Sequence, residues 1–433
     1  MSDVSALKFG AYCDNNKNRK QLEAYNQAWE DFDAHNYFQG VENILFYLKD
    51  ENEGNLQIIS NENGSLSFEM YQGSAKLTGS FDGNKFYASA VITKLEKASS
   101  IVMRKLLDRN QGLLFSRIAL KTDKTLSAIM SYTVQMLKPD IIYYGLRELL
   151  LLADELDDFL ILNFGNAVSE ADSSLKLQIP EQEIDLKYKY AQKWITETLQ
   201  YLNTFNRPDL ANYNVYILLT LVTRISYLCA PKSFLEEKLI EISSSYWINS
   251  QDGTQPQSTL MSQMIQKIHE IQNIPEQEFK ACLYRTRDSF HKGNVMNFKS
   301  IKESLDWGID MIKYLQNNNF HSHALYLTEY TFGCLLFDYN TLNIINKIYH
   351  LEMMLIHEDF FQELDIISPE LIDNNGVFKK DFVESYIKEV VDKHKELSPD
   401  PIVFDYSSID YTNKLTFCMS LCTSTSKMLS IYE

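Results

Sequence analysis

Residues 65–92 read SLSFEMYQGSAKLTGSFDGNKFYASAVI, and the spacing of their apolar residues decides the first half of the fold. Leu66, Phe68 and Met70 alternate with Ser65, Ser67 and Glu69, and Phe86, Ala88, Ala90 and Ile92 alternate with Lys85, Tyr87, Ser89 and Val91. Successive side chains of a strand point to opposite faces, so a period of two that sorts apolar from polar residues predicts half-buried strands. Asp82-Gly83 within the stretch and Asn63-Gly64 just before it accept positive φ at low cost and mark hairpin turns. The stretch is expected to form an antiparallel meander.

Outward from it the period changes. On the N-terminal side, Arg19 to Lys49 carries Leu22, Tyr25, Trp29, Phe32, Val41, Ile44, Leu45 and Leu48 at helical spacing. On the C-terminal side a short helix is expected from about Ala98 to Arg109, with Ile101, Val102, Leu106 and Leu107 on one face. Two strands follow. Leu114, Ile118 and Leu120 are assigned to the first, and Leu126, Ala128, Met130, Tyr132 and Val134 to the second, with a turn at Thr122-Asp123-Lys124. Pro139 suits the first turn of a closing helix that runs to about Leu162. The order α-βββ(β)-α-ββ-α defines an α+β domain in which helices cover a sheet.

Glycine separates this domain from the rest. Ten of the 15 glycines lie in residues 1–166, and glycine serves tight turns while weakening helix interiors. The expected organisation is an α+β domain over 1–166, a linker over 167–180 and an all-α, repeat-like domain of helical hairpins over 181–433. Helical spacing recurs there in Trp194, Leu199 and Leu202, and again in Val215, Leu218, Leu219, Val222 and Ile225. Asn206-Arg207-Pro208, Gln251-Asp252-Gly253 and His291-Lys292-Gly293-Asn294 are read as turns between helices that continue to the end of the chain.

The 433 residues are 45% hydrophobic and 23% charged, which excludes a mainly disordered chain. A formal charge of −17 repels phosphate backbones and anionic lipid, so neither nucleic acid nor a membrane surface is an expected partner. Six scattered cysteines form no small disulfide framework, and with no apolar leader at the N-terminus the expected location is the cytoplasm. The apolar run from Ile141 to Leu162 contains six charged residues that would be costly in lipid, so a buried amphipathic helix is expected.

Three stretches taken together resemble a known superfamily. They are SIVMRKLLDRN (100–110), LLFSRIALKTDKTLSAIMSYTV (113–134) and YYGLRELLLLADELDDFL (143–160). A leucine-rich helix ending in Asn, a hairpin opened by an apolar strand with Ala-Leu, and a closing helix with Ala153-Asp154 near its end are similar to the type III secretion chaperone-like superfamily, which includes the YbjN-related proteins. The likeness covers roughly residues 20–162. It implies a compact module, frequently dimeric, that grips protein segments and carries no catalytic residues. The long helical extension departs from that pattern and favours an adaptor or scaffold.

Chemical motifs are sparse. No phosphate-binding glycine loop, H-E-x-x-H, G-x-S-x-G or C-x-x-C occurs, and neither catalytic residues, metal ligands nor a cofactor are assigned. The alternative is an enzyme or metal-binding site near His321, His323 and Glu329, with His350 or His357 nearby, since histidines and a carboxylate brought to one turn could chelate a cation. Cys418 and Cys422 share a helix face, Ser424-Thr-Ser-Lys427 matches S-x-x-K, and Asp154, Glu155, Asp157 and Asp158 form an acidic cluster. Each has a plainer reading as core, chance or a solvated helix end. Tyr326, Tyr330, Phe332, Phe337 and Tyr339 are assigned to helix–helix core contacts. The expected function is non-enzymatic protein binding as a chaperone-like adaptor or scaffold linked to a bacterial secretion or injection apparatus. Its partners would be proteins, including a second copy in a homodimer, with Tyr132, Tyr143 and Tyr144 as partner contacts.

Overall fold

The computed structural model describes residues 7–62, 64–97, 99–169, 172–205, 210–252, 256–293, 295–337, 339–397 and 402–430. Asn63, Ala98, Asn206-Arg207-Pro208, Gly253, Asn294 and the side chain of Phe337, all used above, lie outside the described residues. The architecture is α+β, with an antiparallel sheet toward the N-terminus and a helical region after it. The chain forms two compact units. A sheet unit comprises Asn16–Gln178 and Tyr284–Lys292, and a helical unit comprises Met1–Asn15, Ile179–Leu283 and Gly293–Glu433.

In the sheet unit, α1 (Arg19–Asp33) and α2 (Tyr37–Leu48) precede β1 (Leu56–Glu62), β2 (Ser65–Gln72), β3 (Ala75–Phe81) and β4 (Lys85–Leu95). Then come α3 (Ser100–Asn110), β5 (Arg117–Leu120), β6 (Thr125–Thr133), α4 (Pro139–Phe164) and β7 (Val168–Ser169). The strand order is β1-β2-β3-β4-β6-β5, with β7 added to β4, and every pairing is antiparallel. Leu66, Phe68, Met70, Leu77, Phe81, Phe86, Ala88, Ala90 and Met130 form one buried apolar core with α2 and α4. Alternation thus decided which residues face inward. The helical spacing over 19–49 is served by two helices, because His35 at φ +62° turns the chain between them. A Cβ added at Gly145 would lie 2.5 Å from the Met130 sulfur. This glycine lets α4 approach β6 closely and fixes the heights of Tyr143 and Tyr144 just before it.

Several sequence assignments change. Val168–Ser169, within the expected linker, form β7, and Gln251-Asp252, read as part of a turn, are the last residues of a helix. Leu114 and Val134 lie outside the strands. For Leu114 the cause is a side chain, described below, that captures the amides a strand ladder would use. Helix α3 buries Val102 and Leu106 but leaves Ile101 and Leu107 exposed, so its apolar face is narrower than its composition. Residues 284–292 are not helical and belong to the sheet unit.

The helical unit is built from α5 (Glu181–Thr204), α6 (Ala211–Leu228), α7 (Phe234–Asp252), α8 (Gln257–Gln272), α9 (Glu276–Ala281), α10 (Phe298–Asn317), α11 (His321–Phe337) and α12 (Asn343–Ile356). It closes with α13 (Glu358–Glu363), α14 (Lys380–Leu397) and α15 (Lys414–Leu429). Helices α6 and α11 pack together at its centre and are buried almost all round. A helix in that position reads as apolar on every face. Consequently most of their polar residues, among them Thr220, Thr223, Arg224, Thr328, Glu329 and Thr331, are interior.

Candidate functional site

Tyrosines at helical spacing on α1, α2 and α4 come together as a ribbon of rings on the sheet unit. Tyr25 contacts Tyr47 at 4.8 Å between centroids, Tyr47 contacts Tyr143 at 6.0 Å, and Tyr143 meets Tyr144 edge-on at 5.0 Å. Tyr144 then stacks on Phe115 at 6.3 Å with ring planes 18° apart. Tyr25, Tyr47 and Tyr143 are half-buried, whereas Tyr144 is 52% exposed. The Tyr132 hydroxyl donates to the Phe115 carbonyl at 3.1 Å. Burial, and then the nearby Glu148 charge, push its phenol up and hold it in the donor form. All three tyrosines assigned from the sequence as partner contacts therefore lie along this ribbon.

The ribbon ends in an exposed leucine held by a carboxylate. Glu148 accepts the backbone N–H groups of Leu114 at 2.8 Å, Phe115 at 2.9 Å and Ser116 at 2.8 Å, and the Ser116 hydroxyl at 2.8 Å. Four charge-assisted bonds to one side chain take amides that would otherwise enter a strand ladder. The backbone of residues 114–116 is tied down as a result, while the Leu114 side chain stands 81% exposed. A pre-ordered apolar tip beside flat aromatic surface binds a partner with little loss of conformational entropy. The neighbouring sheet edge is capped. Asn110 donates to the Ile118 carbonyl at 3.2 Å and accepts its N–H at 2.7 Å, which closes β5 to strand addition at that point.

A second constellation surrounds Tyr284–Lys292. The Gln72 side chain, 2% exposed, accepts the N–H groups of Ser289 at 3.0 Å and Phe290 at 2.9 Å and donates to Asp288 at 3.2 Å. Asp288 also accepts the Gly73 N–H at 2.9 Å. The Ser289 hydroxyl donates to the Tyr71 carbonyl at 2.7 Å, and the Arg287 guanidinium lies 3.4 Å from the Tyr71 ring centroid. Phe290 is 1% exposed within the sheet unit's core and meets Tyr143 edge-on at 5.7 Å. Gly73 is at φ +54°, and a Cβ there would meet the Asp154 carboxylate at 1.8 Å. Asp154 is buried and binds the Ser74 N–H at 2.9 Å and Lys292 at 3.2 Å. Asp154 and Asp157 are thus interior residues, not members of a solvated helix end.

The alternative site near His321 is dispersed. His321 is exposed. His323 is buried with Nε2 donating to Asn214 at 3.2 Å and Nδ1 accepting from the Tyr201 hydroxyl at 2.6 Å, and burial lowers its pKa. Glu329 takes both arms of Arg224 at 2.7 Å each, and its Oε1 also accepts from His357 Nε2 at 2.8 Å. Burial raises the Glu329 pKa, but Arg224 and His357 outweigh it and hold the carboxyl at about 2. The candidate ligands are thus committed to separate structural partners. Among the described residues no group of three or more His, Cys, Asp and Glu is placed to hold a metal ion.

The remaining motifs resolve similarly. Cys418 and Cys422 are free and buried in the helical core. Ser424 is buried with its hydroxyl 2.7 Å from that of Ser408, while Lys427 is exposed, so the S-x-x-K pair does not meet. A groove of about 410 Å³ between α10 and α15 is lined in part by Asp306, Ser426 and Lys302, whose polar atoms bond one another.

Glu352 is fully buried, with the Cys422 thiol donating to its two oxygens at 3.7 and 3.9 Å. Burial pushes its carboxyl well above the ordinary 4.5. A raised folded-state pKa contributes stability that is complete below 4.5 and declines as pH rises toward the folded value. Glu352→Gln, which mimics the neutral acid, is therefore expected to raise Tm at pH 8 and leave it nearly unchanged at pH 4. Thermal unfolding of both proteins at the two pH values checks this.

Sequence reasoning found the ribbon's tyrosines on α4 and β6 but missed Tyr25, Tyr47, Phe115, Leu114 and Glu148. The available signal was Gly112-Leu-Leu-Phe115, three apolar residues placed directly after a helix end. No protein-family model matches the chain, and no curated protein matches its sequence.

Proposed function

We propose that this chain is a non-enzymatic protein-interaction protein, a chaperone-like adaptor or scaffold that docks a polypeptide on the aromatic ribbon of its sheet unit. The observation that carries the reading is Leu114, an apolar side chain exposed to solvent on a loop whose amides at Leu114, Phe115 and Ser116 are bound to Glu148. Isolated exposed leucines are common on protein surfaces. One whose backbone is held by Glu148, next to the Phe115 ring that stacks on Tyr144, has the character of a binding hot spot. The resemblance of residues 20–162 to the secretion chaperone-like superfamily supports a bacterial secretion or injection apparatus as the setting, a cytoplasmic location and pairing of two copies. Among the described residues no helix is long and apolar enough to cross a membrane.

The double variant Leu114→Ser, Tyr144→Ser tests the reading. Both residues are exposed, so the fold should persist. Immobilised wild-type chain is expected to retain a discrete protein that the variant retains at least about tenfold less, as expected when two anchor residues are truncated. Equal retention by both chains contradicts the proposal. Sedimentation of the two proteins reports whether a second copy is that partner.

A further inference from the structure

We infer that the groove holding Tyr284–Lys292 is a peptide-binding site of the sheet unit, that this segment is its resident ligand, and that the groove accepts peptides carrying Arg-Asp-Ser-Phe in the same bent conformation. The segment is held as a ligand is held. It adds no strand to the β1–β7 sheet and makes one isolated bridge, between Arg285 and Leu177. The sheet's hairpins are complete without it.

Recognition instead runs through side chains that read sequence. Gln72 is the central reader, because its oxygen takes two successive backbone N–H groups and its nitrogen takes the Asp288 carboxylate. The second contact to that carboxylate comes from the Gly73 amide, in a turn that tolerates no side chain because Asp154 fills the space behind it. The site is therefore built and rigid. Phe290 supplies the apolar anchor and Arg287 a cation over the Tyr71 ring.

The occupant is a peptide and not a small molecule, because backbone amides of consecutive residues are among the groups bound. The inference does not rest on the proposed role of Leu114 and Tyr144, although Tyr143 touches both constellations. Loss of peptide binding would leave the ribbon reading intact, and equal partner retention by the ribbon variant would leave this one intact.

The test uses the full chain with Arg287→Gly, Asp288→Gly, Ser289→Gly and Phe290→Gly, titrated with a fluorescent peptide of residues 284–292, YRTRDSFHK. The variant is expected to bind the peptide saturably and at least about tenfold more tightly than wild type, whose groove is filled. A peptide carrying Asp288→Ala and Phe290→Ala is expected to bind at least about tenfold more weakly. A folded variant that ignores the peptide, or binds both peptides equally, overturns the inference. Should that variant not fold, hydrogen exchange of the wild-type chain decides. The amides of Gly73, Ser289 and Phe290 are expected to open together while the β2–β4 ladder stays protected, and their exchange only with global opening of the sheet overturns the inference.

Discussion

Phe290→Ala is expected to cost the sheet unit about 3–5 kcal/mol, the usual range for truncating a buried phenylalanine. The expectation follows from its position. Phe290 is fully enclosed with Leu149, Leu45 and the inward residues of β2 to β4 in one apolar cluster, and its ring edge faces Tyr143. Truncation removes the side chain but leaves Gln72 and Gly73 in place, so the surrounding wall cannot collapse freely into the void. Hydrogen exchange distinguishes this from a general loss of stability. Amides of β2, β3 and β4 should lose protection while those of α6 and α11 keep theirs. Unchanged protection in the sheet would mean that the segment is loosely attached and contributes little.

Glu329→Gln should be comparably severe in the helical unit. The variant leaves the Arg224 guanidinium buried between Trp194 and Tyr326 without its hydrogen-bonded counter-charge, and breaking a buried pair by neutralising one partner typically costs about 3–5 kcal/mol. Replacing both, as Arg224→Met with Glu329→Leu, should recover most of that loss, because an apolar pair of similar volume avoids the desolvation cost. Urea unfolding of the single and double variants measures the difference. The pair also sets the acid limit of stability. With Glu329 held at about 2, its contribution is present above 4.5 and is lost as pH falls toward 2. His350 and His357 act in the same direction. Burial lowers both, His350 to about 3, so the unfolded chain takes up protons first below 6.5. Wild type should lose stability on acidification from about pH 6.5, and the double variant should lack the Glu329 share of the loss below 4.5 while the His350 share continues toward about 3.

The legibility of this fold in its sequence followed the range of the interaction involved. Alternation in Leu66–Met70 and Phe86–Ile92 is a local property, and it correctly placed the strands and the residues they bury. Leu114 was assigned to a strand because Leu114, Ile118 and Leu120 are apolar, yet Glu148, thirty-four residues away in sequence, captures its amide. No local pattern encodes that capture. Ile101 and Leu107 looked inward because helical periodicity specifies a stripe and not how much of the stripe is covered. The segment 284–292 was misread for a related reason. The hydrogen bonds of Asp288, Ser289 and Phe290 include ones to Gln72, Gly73 and Tyr71, more than two hundred residues earlier, and nothing in YRTRDSFHK signals a partner so distant. The histidines entered only as an alternative site. Spacing brought His321, His323 and Glu329 near one another in sequence, but Arg224 and Asn214, from a different helix, determine what Glu329 and His323 bind.

The most direct measurement is photocrosslinking from Tyr144 in the full chain inside its own cells, using a benzophenone amino acid in place of the tyrosine and an identical probe at Tyr314, which is similarly exposed on α10. A discrete protein adduct from position 144, absent from position 314 and lost when Leu114→Ser is added, is the result expected of a docking ribbon. Adducts that do not differ between the two positions, or that persist in the Leu114→Ser chain, would contradict it.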